Sequence, residues 1–435
     1  MQTPVLSAHF SSRNPSAIRM AQIEFSKRTD GVNVVNTAIG NISLPMHPAM
    51  QKRMFNLNHN ESPFKDGVVK YTSTKGQTEC NDAFLNIISS SGFETKNLYS
   101  QITDGGSQAM ELVIVGTCGP AGSDTAPLLL IDAAYTNYNS LASRLGRKTV
   151  SVTRNLSENG KFSFPDITEI EKIIEKEKPG AMVIIPYDNP TGQFIDHDTM
   201  IDFAKLCVKF NMWMISDEAY RELFYSDEKP TSIWGLKESE VPGICGRRIS
   251  IETASKIWNA CGLRIGALIT DNKLMNEKSV AENTANLCSN AIGQYIFGTL
   301  AHESSESLNE WYEKQRNYYY DMLKNFQSAM KEKLPGIIVS SPDASLYSVI
   351  DVRNIAKKEF NSMDFVMYCA SKGVVDIDGK KYTLLISPMC GFYSVKEKKN
   401  PGKTQMRVAY VETPEKMELV PTLFSELFKK YENMR

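Results

Sequence analysis

Apolar and polar positions along the chain switch between two periods. Short apolar or alternating runs at Ser100–Thr103, Leu128–Asp132, Ala181–Pro186, Met212–Ser216, Arg248–Thr253 and Gly266–Thr270 read as strands. Between them apolar residues recur at helical spacing. Met200, Phe203, Ala204, Cys207 and Val208 predict one buried face, and Ser107 opens another helical stretch. A further helix is predicted to open at Asp166, carry Ile167, Ile170 and Ile174 on one face, and stop at Pro179-Gly180. From about residue 49 this alternation predicts an α/β architecture with a mainly parallel sheet flanked by helices. Upstream, Val32–Ile39 reads as a short strand closing on Gly40. After Leu308 a charged, tyrosine-rich helical stretch runs to about Lys333, suited to connecting two domains. A smaller α+β region follows, ending in a helix that opens at Thr413-Pro414 and that Pro421 should kink or interrupt. The apolar stripes are read as core and carry no function.

Length and composition narrow the picture. A chain of 435 residues exceeds one ordinary core. The expected division is 1–48 as an N-terminal arm and part of a small domain, 49–310 as a large domain, and 311–435 as the small domain with its connecting helix. Basic and acidic residues balance, 49 against 50, so no cationic excess exists to neutralise nucleic-acid phosphates. The longest apolar runs, such as Leu128–Ile131, fall far short of a membrane span. The N-terminus lacks a basic region followed by an apolar segment, so no signal peptide is expected. Eight scattered cysteines form no Cys-x-x-Cys pair and no metal spacing with histidine, which favours reduced thiols in a cytoplasmic protein and no metal site.

The most informative stretch is Thr253-Ala-Ser-Lys-Ile-Trp-Asn-Ala-Cys-Gly-Leu-Arg-Ile-Gly266. Lys256 falls just past a strand end among small residues, and lysine is the side chain that forms an imine with a carbonyl. Arg264, eight residues on, suits an anion. A surface Lys and Arg flanking a tight turn is the other reading of these residues alone. Read together, Ser-Lys and Gly-Leu-Arg-Ile-Gly at this spacing resemble the Schiff-base segment of class I/II aminotransferases, fold-type I enzymes that use pyridoxal 5'-phosphate.

Segments in the same order elsewhere extend the resemblance across about residues 32 to 411. Thr103-Asp-Gly-Gly-Ser-Gln-Ala109 is a glycine turn between strand and helix, which aims backbone N–H groups at a phosphate. Gly106, Ser107 and Gln108 match the family's phosphate-cradling positions. No Gly-x-Gly-x-x-Gly is present, and Gly402-Lys403-Thr404 lacks the glycine a P-loop needs at position 397. Tyr135 falls where the family stacks an aromatic on the cofactor ring, although Ala133 stands where the family commonly has Pro. Asp188-Asn-Pro-Thr-Gly192 matches the family's Asn-Pro-Thr-Gly, which implies that Asn189 donates to the ring's phenolic oxygen. Asp217 and Tyr220, in Ile215-Ser-Asp-Glu-Ala-Tyr220, match the residues facing the ring nitrogen and phenolic oxygen. The resemblance gives Lys256 the internal aldimine and the proton shuttle, and gives the phosphate to Arg264, Thr253 and Ser255. Arg407 matches the substrate-carboxylate arginine. Gly40 matches a backbone amide beside that carboxylate, though Asn41-Ile-Ser-Leu-Pro45 departs from the usual continuation. Tyr71 resembles the tyrosine that reaches the neighbouring subunit's cofactor phosphate, which implies a homodimer. Taken singly, a core tyrosine, a turn, a helix cap or a solvated charge would explain each segment.

The implied activity is ping-pong transfer of an amino group between an amino acid and a 2-oxo acid. Elimination chemistry on the same fold, or a non-catalytic cofactor-binding regulator, are the alternatives. No Arg or Lys lies in Ala281–Cys288 before Ser289-Asn290, and Ser107 stands where some relatives have lysine. Neutral donors are therefore expected to match or exceed aspartate, with Arg221 or the 374–393 stretch as other sources of a cation. That stretch is also expected to be a long substrate-facing loop.

Overall fold

The computed structural model describes residues 4–395 and 399–434. Position 397, where the P-loop glycine is missing, lies outside them. A seven-stranded sheet runs, in spatial order, Tyr99–Thr103, Gly266–Thr270, Arg248–Thr253, Trp213–Asp217, Ala181–Ile184, Leu128–Asp132 and Thr149–Thr153. Gly266–Thr270 is antiparallel to both neighbours, and the other pairings are parallel. Ala181–Ile184 and Leu128–Asp132 are buried at every position, as expected of strands covered by helices on both faces. That double covering is why these strands read in sequence as unbroken apolar runs.

The helices follow their stripes with small shifts. His197–Lys209 buries Met200, Phe203, Ala204, Leu206 and Cys207, while Val208 is only half-buried. Ile167–Glu177 opens on Asp166, whose carboxylate accepts from Thr168 N, and ends where Lys178 turns left-handed at φ +48°. Ile170 and Ile174 are buried, but Ile167 is exposed because it stands in the first turn, before the helix meets the sheet. The long helix spans Ser305–Lys333. The last helix, Pro414–Asn433, runs through Pro421 as one element, contrary to the expected interruption. One proline removes a single helical hydrogen bond, and the buried Val420, Leu423, Phe424 and Leu427 around it hold that turn by packing.

Beside the first stand a two-stranded ribbon, Asn155–Leu156 with Phe162–Ser163, and two smaller sheets. Ile338–Val339, Tyr347–Asp351, Gln405–Ala409 and Ser387–Pro388 form an antiparallel four-stranded sheet. Asn33–Asn36 pairs in parallel with Lys380–Leu385, which turns back on Val375–Ile377. The expected 374–393 loop is therefore half hairpin. Asp378 and Gly379 take positive φ at its tip, and the Asp376 carboxylate accepts from Gly379 N. Thr37 extends the Asn33–Asn36 strand, donating to Leu385 O and accepting from Ala409 N, so the residues before Gly40 are sewn to both smaller sheets.

Candidate active site

Six of the seven strands of the large sheet point their carboxyl ends to one side, where ligands of open α/β sheets bind, and five of them lead to candidate residues. Thr103 leads to Gly106 and Ser107, Asp132 to Tyr135, Ile184 to Asn189, Asp217 to Tyr220, and Thr253 to Ser255 and Lys256. The residues these strands lead to, with Asp217, Thr253 and Arg264, line one cavity of about 310 Å³.

One end of this cavity suits an anion. Gly105, at φ +72°, opens the helix Gly105–Thr117, whose first turn carries Gly106 and Ser107. A Cβ at position 105 would collide with the Arg264 guanidinium, so glycine is what lets the arginine close on the turn. Arg264 itself is left-handed (φ +53°) and donates to Cys261 O at 3.0 Å. The hydroxyls of Thr253 and Ser255 lie 2.8 Å apart beside it. Gln108 does not join them: its carboxamide turns back to accept from Asp104 N at 2.7 Å.

The other end carries Asp217. Tyr138 Oη donates to its Oδ2 at 2.6 Å, and Ala219 N donates to Oδ1 at 3.2 Å. Desolvation outweighs both bonds and pushes the carboxyl up to about 6. Tyr138 was not singled out by its motif, yet it stands one helical turn from Tyr135, the spacing that puts two side chains on one face. The two rings meet edge to face at 5.5 Å.

A second cavity of about 570 Å³ adjoins the first and shares Tyr135, Asn137, Asn189, Tyr220 and Lys256 with it. Lys256 Nζ, between the two, donates to Gly40 O at 2.5 Å. Arg407 is buried on the far wall, donating to Asn189 Oδ1 at 3.0 Å and to Ala38 O at 2.7 Å. Its Nε is buried without a hydrogen-bond partner among the described residues. Asn189 in turn donates to Tyr220 Oη at 3.2 Å. Pro388, Gly391 and Phe392 of the 374–393 stretch reach this cavity, whereas the hairpin residues 376–382 do not line it.

Two cations change places relative to expectation. Arg221 is not available to a substrate: it is fully buried, 2.6 Å from Glu252 and 3.5 Å from Glu218. Arg19, on the helix Ala17–Ser26, lines the second cavity instead, with Ser16, Gln22, Asn137 and Asn139. No carboxylate is among that cavity's described lining residues. Arg19 escaped sequence reasoning because its helix is short and joined to the site only by tertiary packing. Tyr71 lies outside both cavities, 79 % exposed, in an open surface hollow with Arg264, Ser289 and Asn290.

The chain resembles known proteins in sequence and in fold. The sequence profile of the family "Aminotransferase class I and II" matches residues 51–395. An aspartate aminotransferase of Sulfurisphaera tokodaii is 23 % identical over 364 residues, spanning 82 % of this chain and 84 % of its own length. Among solved structures, a single mutant of Thermus thermophilus aspartate aminotransferase aligns with a TM-score of 0.79 at 18 % identity, over 98 % of this chain and all of its own. Alanine aminotransferase from Pyrococcus furiosus aligns equally well, with a TM-score of 0.79 at 20 % identity, over 98 % and 100 % of the two chains.

The Asp217 environment has a consequence for stability. A carboxyl raised from 3.8 to about 6 on folding leaves stability intact below about pH 4 and removes it as pH rises through about 6. In ligand-free protein, the stability of Asp217→Asn minus that of wild type should therefore increase between pH 4 and 7, by about 2 kcal/mol, the carboxylate keeping one side on the cavity. Chemical denaturation at a series of pH values measures it, and a difference that is flat with pH would contradict it.

Proposed function

The chain belongs to the class I and II aminotransferases, and from that premise we propose how its own residues carry the transfer. It is a pyridoxal phosphate-dependent enzyme that moves an amino group between an amino acid and a 2-oxo acid. The residues present fit that cofactor. A guanidinium, hydroxyls and a helix N-terminus gather at one end of a cavity of about 310 Å³, and a carboxylate stands at the other. Glycine at 105 keeps the guanidinium close to the helix N-terminus. When bound, pyridoxal phosphate supplies the carbonyl that takes up the amino group and the ring that accepts electrons.

The observation that carries the reading is the position of Lys256, whose amine lines both cavities. In this reading Lys256 holds the cofactor and moves the proton at the substrate Cα. Arg264, Ser107, Ser255 and Thr253, with the amide of Gly106, bind the phosphate, and Gln108 contributes through its backbone alone. Asp217, ionised against a protonated ring nitrogen, keeps that proton in place, while Tyr138 orients its carboxylate. Tyr135 would hold the ring by its aromatic face, and Asn189 and Tyr220 would supply hydrogen-bond donors to its phenolic oxygen. Arg407 takes the α-carboxylate through a planar fork, beside the Gly40 backbone. We assign the two smaller sheets, with the long helix from residue 311 onward, to a small domain beside residues 49–310. All eight cysteines are free thiols, in keeping with a cytoplasmic enzyme.

Tyr71, exposed beside Arg264 with Val68, Val69 and Leu287 also exposed, supports a homodimer in which each chain lends Tyr71 to its partner's phosphate. Mixing Lys256→Ala chains with Tyr71→Phe chains should then restore one good site per heterodimer and lift cofactor affinity and turnover above either parent. A fully active monomer would end this reading.

Arg19 widens the donor range. Acidic side chains gain a cation within a cavity of mixed polar and apolar lining, free of carboxylates among its described residues, so donors with a second carboxylate fit alongside neutral ones. Arg19→Gln should lower kcat/KM for aspartate or glutamate by about tenfold relative to that for phenylalanine, roughly 1.4 kcal/mol of transition-state preference. An equal effect on both donor classes would remove Arg19 from recognition.

A further inference from the structure

Four side chains around the substrate cavity close into a ring that the sequence motifs do not reveal. Arg407 donates to Asn189, Asn189 donates to Tyr220 Oη, and Tyr220 Oη lies 2.9 Å from Tyr347 Oη. The Tyr347 ring closes the circuit beneath the Arg407 guanidinium, 4.5 Å from its centroid. The strand pairing imposes that last contact. Tyr347 stands opposite Ala409, and Arg407 opposite Val349, so the two are diagonal neighbours on one face of the four-stranded sheet. Asn189 and Tyr220 come from the large sheet, so Tyr347 joins the two halves of the site. Only 1 % of Tyr347 is exposed, and its hydroxyl also fixes Gly40, where a Cβ would collide with it.

Proton accounting gives the ring a direction. A tyrosine hydroxyl has one proton to give and two lone pairs to receive. Burial holds the Tyr220 hydroxyl well above its ordinary range, so it stays protonated. One lone pair of Tyr220 already receives the Asn189 amide. If Tyr220 is to turn its proton into the cofactor cavity, the hydrogen bond with Tyr347 must run from Tyr347 to Tyr220.

We propose that Tyr347 is a positioning residue of this enzyme: its hydroxyl donates to Tyr220 and frees the Tyr220 proton for the cofactor's phenolic oxygen, while its ring seats Arg407. The inference rests on the proposed placing of cofactor and substrate. A donor behind Tyr220 makes Tyr220 the stronger donor in its turn, which favours the deprotonated form of the group it faces.

Two variants separate the hydroxyl from the ring, each measured as purified holoenzyme. Tyr347→Phe keeps the ring and loses the donor. The pH midpoint of the bound cofactor's visible absorbance change should rise by about half a unit, because Tyr220 becomes a weaker donor to the ionised group it faces. The equilibrium Kd for succinate, a non-reacting carboxylate probe, should stay within about twofold. Tyr347→Leu loses the ring as well, and the Kd for succinate should weaken by about fivefold to tenfold. A merely structural role would lower Tm in both variants without separating midpoint from affinity. A Tyr347→Phe titration that superimposes on wild type would overturn the proposal, and this variant decides alone if Tyr347→Leu does not fold. Wild-type holoenzyme with no absorbance change on titration would instead overturn the placing of the cofactor on which the proposal rests.

Discussion

The hydrogen bond from Arg407 to Asn189 is the contact on which the site depends. It spans 218 positions of sequence and joins a strand of the four-stranded sheet to the loop after Ala181–Ile184. Among the described residues no carboxylate pairs with Arg407; a carboxamide, a backbone carbonyl and two aromatic faces surround it. Burying a cation among neutral groups is costly unless its donors are used. In the proposed reading that cost is offset when a carboxylate ligand binds, and Nε, without a hydrogen-bond partner among the described residues, is open to it.

The charges behind the site are treated in the opposite way. Arg221 is locked between Glu252 and Glu218, and Glu218 also accepts from Ser216, Ser232 and Ile233 N. Each of these three charged residues adjoins a site residue in sequence: Glu218 follows Asp217, Arg221 follows Tyr220, and Glu252 precedes Thr253. The knot therefore fastens two neighbouring strand-end segments, those after Trp213–Asp217 and at the end of Arg248–Thr253, from below. Arg154 does similar work on the other flank. It is buried against the Asp188 carboxylate and the carbonyls of Ile131 and Ala133, holding the segments that lead to Asn189 and Tyr135.

What was legible in the sequence follows from locality. Buried strands are apolar or alternating runs with sharp ends, so Leu128–Asp132, Arg248–Thr253 and Gly266–Thr270 were readable to the residue. Site residues that sit just past such ends, Lys256 and Asn189 above all, carry short motifs with fixed spacing. Arg19, Tyr138 and Tyr347 carry none, because each acts through a partner remote in sequence or through the face of an element it shares with core residues. Arg221 misled for a related reason: sequence proximity to Tyr220 placed it near the site but could not say that it faces away. The hairpin at 375–385 hid in the same way, since strands with charged outer positions resemble a loop.

The central claim is that one amine, Lys256, serves both cavities by moving the proton at the substrate Cα. Exchange of the donor's α-proton in D2O, followed by NMR with holoenzyme and no 2-oxo acid, reads that step directly. Wild type should exchange the proton, and Lys256→Ala should slow exchange by about a hundredfold or more while the donor still binds. Exchange at the wild-type rate in Lys256→Ala would contradict the account.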